Sequence, residues 1–271
     1  MQINTVKEKL IENLEKIEAK KVQEELLKSL NDGQFLVYLQ PKFDTQTQEV
    51  VGAEALIRKR YKDEILLPSK FIPVYENHKV ITILDMYVLE KVCSLQRKWK
   101  NEGYKQIPIS INESRHHLKN PNHLNELQQI VNKYDANPNL IELELTETTV
   151  VDNFEIAKQA EKNVHKLGFV VSMDDFGTGY SSFNVLKNIE IDVLKIDKLF
   201  FDDIIQNNRA QIIIESIISM CKRLNIKTVA EGIETKEQLD YLKSIKCDMV
   251  QGYYLAKPMS VEEFEKKWLG C

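Results

Sequence analysis

Two adjacent aspartates follow an apolar, β-branched stretch in the segment VVSMDDFGTGYSS, residues 170–182. The carboxylates of Asp174 and Asp175 repel each other, and burial adds to that cost because a low-dielectric surrounding disfavours charge. Such a pair is stable at the end of a buried strand when positive charge lies beside it. The segment therefore indicates a site that binds cations, although the Gly-Thr-Gly sequence after it, taken alone, indicates only a turn.

Polar side chains also end most of the other segments that could form strands. They are Glu54, Asn112, Glu144, Glu147, Lys195, Asp197, Glu231, Glu234 and Gln251. Side chains alternate along a strand, so Glu144 and Thr146 share one face, as do Lys195 and Asp197. Each of these acids, taken singly, is more typical of a helix N-cap or a loop salt bridge. Their coincidence at successive strand ends favours one common site.

The expected ligand atoms of this site are oxygens, because no histidine or cysteine is among the residues. Mg²⁺ and Mn²⁺ prefer such ligands, whereas Zn²⁺ prefers nitrogen and sulfur. Two adjacent aspartates suit a pair of cations about 3.5–4 Å apart, with one carboxylate bridging both, and such pairs serve phosphoryl chemistry.

The four scattered cysteines lack a CxxC pair and argue against a zinc cluster. We interpret the five histidines as structural or exposed. They are His78, His116, His117, His123 and His165.

Short apolar segments alternate with helical ones from residue 34 onward, which is typical of successive βα units around a parallel sheet. The predicted strands are residues 35–39, 50–56, 107–112, 141–146, 169–173, 193–196, 228–230 and 249–254. About eight strands predict a (β/α)8 TIM-like barrel, in which chemistry lies at the carboxyl ends of the strands. An open doubly wound sheet is the alternative, although no GxGxxG follows the first strand.

Helix boundaries are also predicted from local signals. Gly168 is expected to end one helix, and Thr235 with Gln238 and Ser260 with Glu263 match capping boxes. An apolar stripe between residues 204 and 225 is predicted to face the core. It consists of Ile212, Ile213, Ile217, Met220, Cys221 and Leu224.

Residues 1–30 have the apolar spacing of an amphipathic helix. The apolar positions are Ile3, Val6, Leu10, Leu14 and Ile17. This helix either docks on the following domain or connects it to an upstream regulatory domain or a second copy. We assign residues 1–20 to the helix or connector and residues 21–271 to the barrel domain.

Composition limits the class of protein. The 271 residues are 43% hydrophobic and 29% charged with a formal charge of -4, which argues against a nucleic-acid coat or a membrane-surface module. No apolar run approaches the length of a membrane span, and the charged N-terminus lacks the core of a signal peptide. We expect a cytoplasmic protein.

The chain resembles the EAL-domain cyclic di-GMP phosphodiesterases over roughly residues 21 to 265. The segments that carry the resemblance, in the family's order and approximate spacing, are LVYLQPKFD, GAEALIR, PSKFIPVYE, SINES, ELTE, DDFGTGYSS, LKID, AEGIE and QGYYLAKP. The resemblance implies a barrel whose first strand runs antiparallel to the others, with two divalent cations, Mg²⁺ or Mn²⁺, at its mouth. It also implies that residues 21–271 form the phosphodiesterase domain.

The resemblance implies a role for each polar residue. The metal ligands would be Glu54, Asn112, Glu144, Asp174 and Asp175, with Asp174 bridging the two ions. Lys195 would orient the attacking water, and Glu231 would bind near the second ion or act as a base. The substrate contacts would be Gln40, Arg58, Glu234 and Gln251, with Arg58 at a phosphate. Glu147 would steady the loop after the double aspartate.

By the same resemblance, in-line attack of metal-activated water would open cyclic di-GMP to linear pGpG. The alternatives are a non-catalytic cyclic di-GMP receptor that signals through a protein partner, and an interaction scaffold indifferent to nucleotide. A homodimer, formed through the helix and loop after the double aspartate, is expected, and so is an upstream sensory domain if the chain is a fragment of a longer protein. A nucleic-acid polymer or a membrane is not expected as a partner. Lys59, Tyr75 and Glu113 depart from the family pattern, and Tyr75 is expected to add bulk at the pocket rim.

Overall fold

The computed structural model of the protein describes the backbone of residues 2–177 and 182–270 and the side chains of residues 15–177 and 183–270. Its strands are β1 Phe35–Asp44, β2 Val50–Tyr61, β3 Glu64–Leu66, β4 Ile109–Asn112, β5 Ile141–Thr146, β6 Val170–Phe176, β7 Val193–Ile196, β8 Lys227–Ala230, β9 Met249–Val250 and β10 Met259–Ser260. Its α-helices are α1 Gln2–Asn31, α2 Ile72–Asn77, α3 Ile81–Glu102, α4 His123–Tyr134, α5 Glu147–Asp152, α6 Phe154–Lys166, α7 Ser182–Asn188, α8 Asn208–Arg223, α9 Lys236–Ser244 and α10 Val261–Phe264.

Eight of these strands close into a barrel. Strands β2, β4, β5, β6, β7, β8 and β9 pair in parallel in that order, and β1 closes the ring by pairing antiparallel with β2 and with β9. Strand β3 extends β2 as a hairpin, and β10 pairs with β1. The predicted barrel with an antiparallel first strand is confirmed, and the doubly wound alternative is wrong.

Several strand boundaries differ from those predicted, and packing explains three of them. Strands β1 and β2 run to Asp44 and Tyr61 because they form a long antiparallel ladder with each other. Strand β9 ends at Val250 because the chain turns against a neighbouring segment at Gly252. A Cβ there would lie 2.1 Å from the carbonyl oxygen of Ile233, so only glycine allows this close approach.

The predictions for Gly168 and for the capping box at Thr235 agree with the structure, whereas only one of the two capping-box hydrogen bonds predicted for Ser260 and Glu263 is found. Gly168 follows α6 with a φ of +88°, a left-handed conformation that favours glycine. The capping box of Thr235 and Gln238 begins α9, and the Ser260 hydroxyl accepts a hydrogen bond from the Glu263 N–H at the start of α10.

The apolar stripe on α8 was assigned wrongly in part. Ile212, Ile213 and Leu224 are exposed, with 55% of the Ile212 surface accessible. The buried row is Ile214, Ile217, Ile218 and Cys221. The run of consecutive isoleucines supplies apolar residues to more than one face of the helix, and packing selects the row that starts at Ile214.

The N-terminal helix contacts the barrel domain near its end. Leu26 is fully buried in a small apolar cluster with Phe35, Phe71 and Leu84, whereas Ile17 is exposed. The side chains of Ile3, Val6, Leu10 and Leu14 lie outside the described residues. The division at residue 20 therefore stays a prediction. None of the helices in the described part of the chain combines the length and the apolar character that a membrane span requires.

Candidate active site

Lys195 lies at the centre of a cluster of carboxylates inside the mouth of the barrel. Its side chain is 1% exposed, and its Nζ lies 2.8 Å from Glu144 Oε2, 2.9 Å from Glu231 Oε1 and 3.2 Å from Asp174 Oδ2. The Oε2 atom of Glu54 is 3.8 Å away. Four acids that are far apart in sequence thus surround one ammonium group.

The pairing register of the strands places the polar residues of the site side by side on neighbouring strands. Asn112 is the neighbour of Glu144 across β4 and β5, and Gln40 is the neighbour of Glu54 across β1 and β2. The alternation predicted in LELTE holds, because Glu144 points into the barrel while Leu143 packs in the apolar core. The carboxyl ends of the parallel strands therefore carry the site, as in other barrels of this kind.

Glu54 is fixed by amide side chains. Gln251 Nε2 donates hydrogen bonds to Glu54 Oε2 at 2.7 Å and to Gln40 Oε1 at 3.1 Å. Asn112 Nδ2 donates to Glu54 Oε1 at 3.2 Å, and Gln40 Nε2 donates to the Ala256 carbonyl. Both carboxylate oxygens of Glu54 are therefore held in place by hydrogen-bond donors.

The double aspartate has an unusual backbone. Asp175 adopts a φ of +56°, and its N–H donates to Asp174 Oδ1 at 2.9 Å. The pairing of β6 with β7 is irregular at this point, so the two side chains do not simply alternate across the strand. The Gly177 N–H donates to the buried Glu147 carboxylate at 2.8 Å. Glu147 thus contacts the start of the loop, while Thr178 to Ser181 lie outside the described residues.

The cluster holds more negative than positive charge. Burial, together with Asp174 and Glu54, raises the pKa of Glu231 to about 8 although Lys195 opposes the shift. Burial also raises the pKa of Glu54 and of Asp174. Burial opposes ionisation of Glu144 as well, but Lys195 and Lys42 lower its pKa to about 2. The site would therefore be stabilised by added cations.

The remaining predicted residues surround this cluster. Glu234 is exposed and lines a cavity of about 310 Å³ together with Gln40, Lys195 and Gln251. Arg58 lies four residues after Glu54 on β2, and its guanidinium donates to the Ile57 carbonyl at 2.9 Å.

Two residues, Asp197 and Tyr75, differ from what the sequence predicted. Asp197 accepts a hydrogen bond from the Leu199 N–H and caps a short helical turn, so its carboxylate serves local structure. Tyr75 is buried rather than at the pocket rim, and its hydroxyl accepts a hydrogen bond from Lys59 at 3.0 Å. Two of the three departures from the family pattern, Lys59 and Tyr75, thus contact each other.

Sequence reasoning missed Lys42 and Glu142. Lys42 is 2% exposed, and its Nζ donates to Glu142 Oε1 at 3.0 Å and to Glu144 Oε1 at 3.2 Å. Period two would have found both, because Lys42 follows Gln40 and Glu142 precedes Glu144 by two positions. Lys42 fixes the side of Glu144 that faces away from Lys195.

We expect Lys42→Met to lower the free energy of unfolding by about 3 kcal/mol, because it leaves buried Glu142 without its partner cation. Denaturant unfolding would measure the loss. Lys187→Met, at an exposed lysine on α7, is the control and should change stability by less than about 0.5 kcal/mol. Equal stabilities of the two variants would contradict the assignment of Lys42 as a buried counter-ion.

Comparison with known proteins places the chain among relatives. The EAL domain family model matches residues 23–258. Signaling protein YkoW of Bacillus subtilis strain 168 is 34% identical over 242 residues, which cover 89% of this chain and 30% of the relative. Cyclic di-GMP phosphodiesterase NbdA of Pseudomonas aeruginosa is 33% identical over 246 residues, which cover 90% of this chain and 31% of the relative.

Among solved structures, the PaMucR phosphodiesterase in complex with c-di-GMP superposes with a TM-score of 0.83 at 28% identity, covering 90% of this chain and 99% of that chain. This chain spans only about a third of the length of the two curated relatives above. The family match nevertheless extends over most of the barrel and over every strand end that contributes to the carboxylate cluster. The chain belongs to the EAL domain family.

Proposed function

We propose that this protein is a metal-dependent phosphodiesterase that hydrolyses cyclic di-GMP to linear pGpG. The observation that carries the proposal is the convergence of Glu54, Glu144, Asp174 and Glu231 on Lys195. The names of NbdA and PaMucR associate those two family members with this nucleotide. A receptor without catalysis would not need several metal-binding carboxylates around one buried ammonium.

The donor set fits two divalent cations. The ligands would be Glu54, Asn112, Glu144, Asp174 and Asp175, which offer oxygen atoms only and favour Mg²⁺ or Mn²⁺. The raised pKa values of several of these carboxyls reflect burial and mutual repulsion, which bound cations would offset. When bound, such cations lower the pKa of water and neutralise charge on phosphoryl oxygens.

Lys195 and Glu231 would then orient the water molecule and accept its proton. Lys195, held by three close carboxylates, can orient a water molecule and stabilise negative charge as the phosphoryl group is attacked. Glu231 contacts Lys195 and lies outside the proposed ligand set, so its carboxylate is available to accept a proton from the attacking water. The Oε1 atom of Glu231 lies 2.9 Å from Lys195 Nζ, so the proposed proton acceptor lies beside the group that would orient the water.

The cavities around Glu54 suit a ligand with two similar halves. Glu54 borders the cavity of about 310 Å³ that contains Lys195 and Glu234, and also a cavity of about 580 Å³ lined by Asn112 and apolar residues such as Ile57 and Ile72. A cyclic dinucleotide has a base on either side of each phosphodiester. We propose that one base enters each cavity, with Gln40, Gln251 and Glu234 on one side and Arg58 near a phosphate.

Purified protein is expected to convert cyclic di-GMP to pGpG with Mg²⁺ or Mn²⁺, and EDTA should stop turnover reversibly. Chromatography of the nucleotides measures the product, and calorimetry in Ca²⁺ measures binding separately. Normal binding without turnover in either metal would favour the receptor alternative, and no binding would favour the scaffold. The domain boundary at residue 20, the homodimer and an upstream sensory domain stay predictions beside this proposal.

A further inference from the structure

Three metal-binding side chains lie together outside the carboxylate cluster. Glu113, His117 and His123 belong to the segment from the end of β4 to the start of α4, and each offers one ligand atom within 4.8 Å of the others. His117 is 2% exposed and His123 is 7% exposed. The three residues border a cavity of about 210 Å³. A group of this kind is buried, polar and next to open space.

The hydrogen bonds of the two imidazoles are incomplete. His123 Nε2 contacts Glu113 Oε1 at 2.5 Å, and His117 Nε2 contacts Asp85 Oδ2 at 3.1 Å. The Nδ1 atoms of both rings are buried and have no hydrogen-bond partner among the residues that the structure describes. Buried polar atoms in folded proteins almost always have a partner, so two such atoms in one cluster call for a ligand.

We propose that Glu113, His117 and His123 bind a Zn²⁺ ion at a site separate from the oxygen-only site. Two imidazoles and a carboxylate, with a fourth position open to the cavity, form a common zinc ligand set. Asp85 would hold His117 through Nε2 and leave Nδ1 for the metal, which is how a carboxylate outside the ligand set usually orients a metal-bound histidine. The sequence-based interpretation of these histidines as structural or exposed did not foresee this group.

The geometry requires a small adjustment. Ligand atoms of a tetrahedral zinc site lie about 3.4 Å apart, so a separation between ligand atoms of up to 4.8 Å would shorten by about 1.4 Å at most. The two rings are now stacked with centroids 4.1 Å apart, and they would rotate until both Nδ1 atoms point to one centre, while Glu113 would leave His123 Nε2 and turn to the metal. His117 lies in a short turn, His117–Lys119, where such a rotation does not disturb a long helix.

The site would be connected to the candidate active site through the backbone. Glu113 directly follows Asn112, and its N–H donates to the Glu144 carbonyl at 2.9 Å. A zinc ion bound by Glu113 would therefore restrain the end of β4, which carries Asn112. The alternative to a zinc site is that His117 pairs with Asp85 and His123 pairs with Glu113 for structural reasons only. That alternative leaves the Nδ1 atoms of both histidines without partners among the described residues.

The test counts zinc in a protein whose oxygen-only site is weakened by Asp174→Asn. This variant is expected to bind one equivalent of Zn²⁺, measured by competition with a chromophoric chelator, and Co²⁺ should give the visible absorption of a four-coordinate ion. Adding His117→Gln or His123→Gln should weaken zinc binding at least 100-fold. Adding His116→Gln, at a histidine outside the cluster, should leave zinc binding unchanged.

A second measurement guards against misfolding of the variants. Zinc is expected to raise the Tm of the Asp174→Asn protein, because a ligand that binds the folded state stabilises it. The rise should disappear with His117→Gln and remain with His116→Gln, while circular dichroism confirms that each variant is folded. Absence of a zinc equivalent in Asp174→Asn, or an unchanged zinc affinity or Tm rise in folded His117→Gln, would overturn the proposal.

Discussion

Lys195→Met is expected to lower kcat for cyclic di-GMP hydrolysis at least about 10³-fold, which corresponds to about 4 kcal/mol of transition-state stabilisation. Methionine keeps most of the volume of the lysine side chain but removes the ammonium that contacts Glu144, Asp174 and Glu231. The substrate dissociation constant, measured in Ca²⁺, should change only a few-fold, because the proposed task of Lys195 is to orient water and stabilise developing charge. Steady-state kinetics and calorimetry together measure this split between turnover and binding.

Lys198→Met is the matched control for this experiment. Lys198 lies three residues later and lines the same cavity of about 310 Å³, but it is exposed and none of its described contacts joins it to the carboxylate cluster. Its replacement should change kcat by less than about three-fold. If Lys195→Met kept full kcat, or lost binding as strongly as turnover, Lys195 would be a structural counter-ion and not a catalytic residue.

Much of the candidate site could be predicted because its signals are local. The inward direction of Glu144 follows from strand alternation, and carboxyl ends of parallel strands meet at one mouth whatever the helices between them contain. The helix ends at Gly168 and Thr235 could also be predicted, because residues within one helical turn determine them.

The features that sequence reasoning missed depend on contacts between distant segments. Strand alternation places Lys42 and Glu142 on the inward faces of their strands, but their pairing across about a hundred residues is set by the fold. The contact of His117 with Asp85 on α3 is likewise not visible in a short window of sequence. On α8, several consecutive isoleucines fit more than one face, and only packing shows that Ile214 is buried while Ile213 is exposed. The reversed direction of β1 was implied by the family resemblance and by no feature of its own sequence.

Two buried lysines, Lys42 and Lys195, contact different acids inside the barrel. Together they explain how the fold accommodates so many buried carboxylates. Lys42 neutralises Glu142 and one oxygen of Glu144, while Lys195 contacts the other oxygen of Glu144 and the acids above it. Glu144 is therefore ionised between two ammonium groups, whereas Glu54, Asp174 and Glu231 share Lys195 and have raised pKa values.

Glu54→Gln is expected to reduce turnover at least about 10⁴-fold, or about 5 kcal/mol, with Mg²⁺ or Mn²⁺. The substitution keeps the shape of the side chain but replaces a proposed metal-ligand oxygen with an amide nitrogen. It also places a donor where Gln251 and Asn112 now donate to the carboxylate, so the two hydrogen bonds at 2.7 Å and 3.2 Å cannot both be kept. Activity assays over a metal titration, with Mn²⁺ affinity measured by calorimetry, check both consequences.

The control for this variant is Glu142→Gln, which alters a buried acid of the same barrel that contacts Lys42 and lies outside the proposed ligand set. Its activity should remain within about ten-fold of the parent, because the ionised Glu144 retains Lys195. EDTA followed by excess Mn²⁺ should restore the parent and Glu142→Gln but leave Glu54→Gln inactive. Full activity of Glu54→Gln at ordinary metal concentration would remove Glu54 from the proposed metal site.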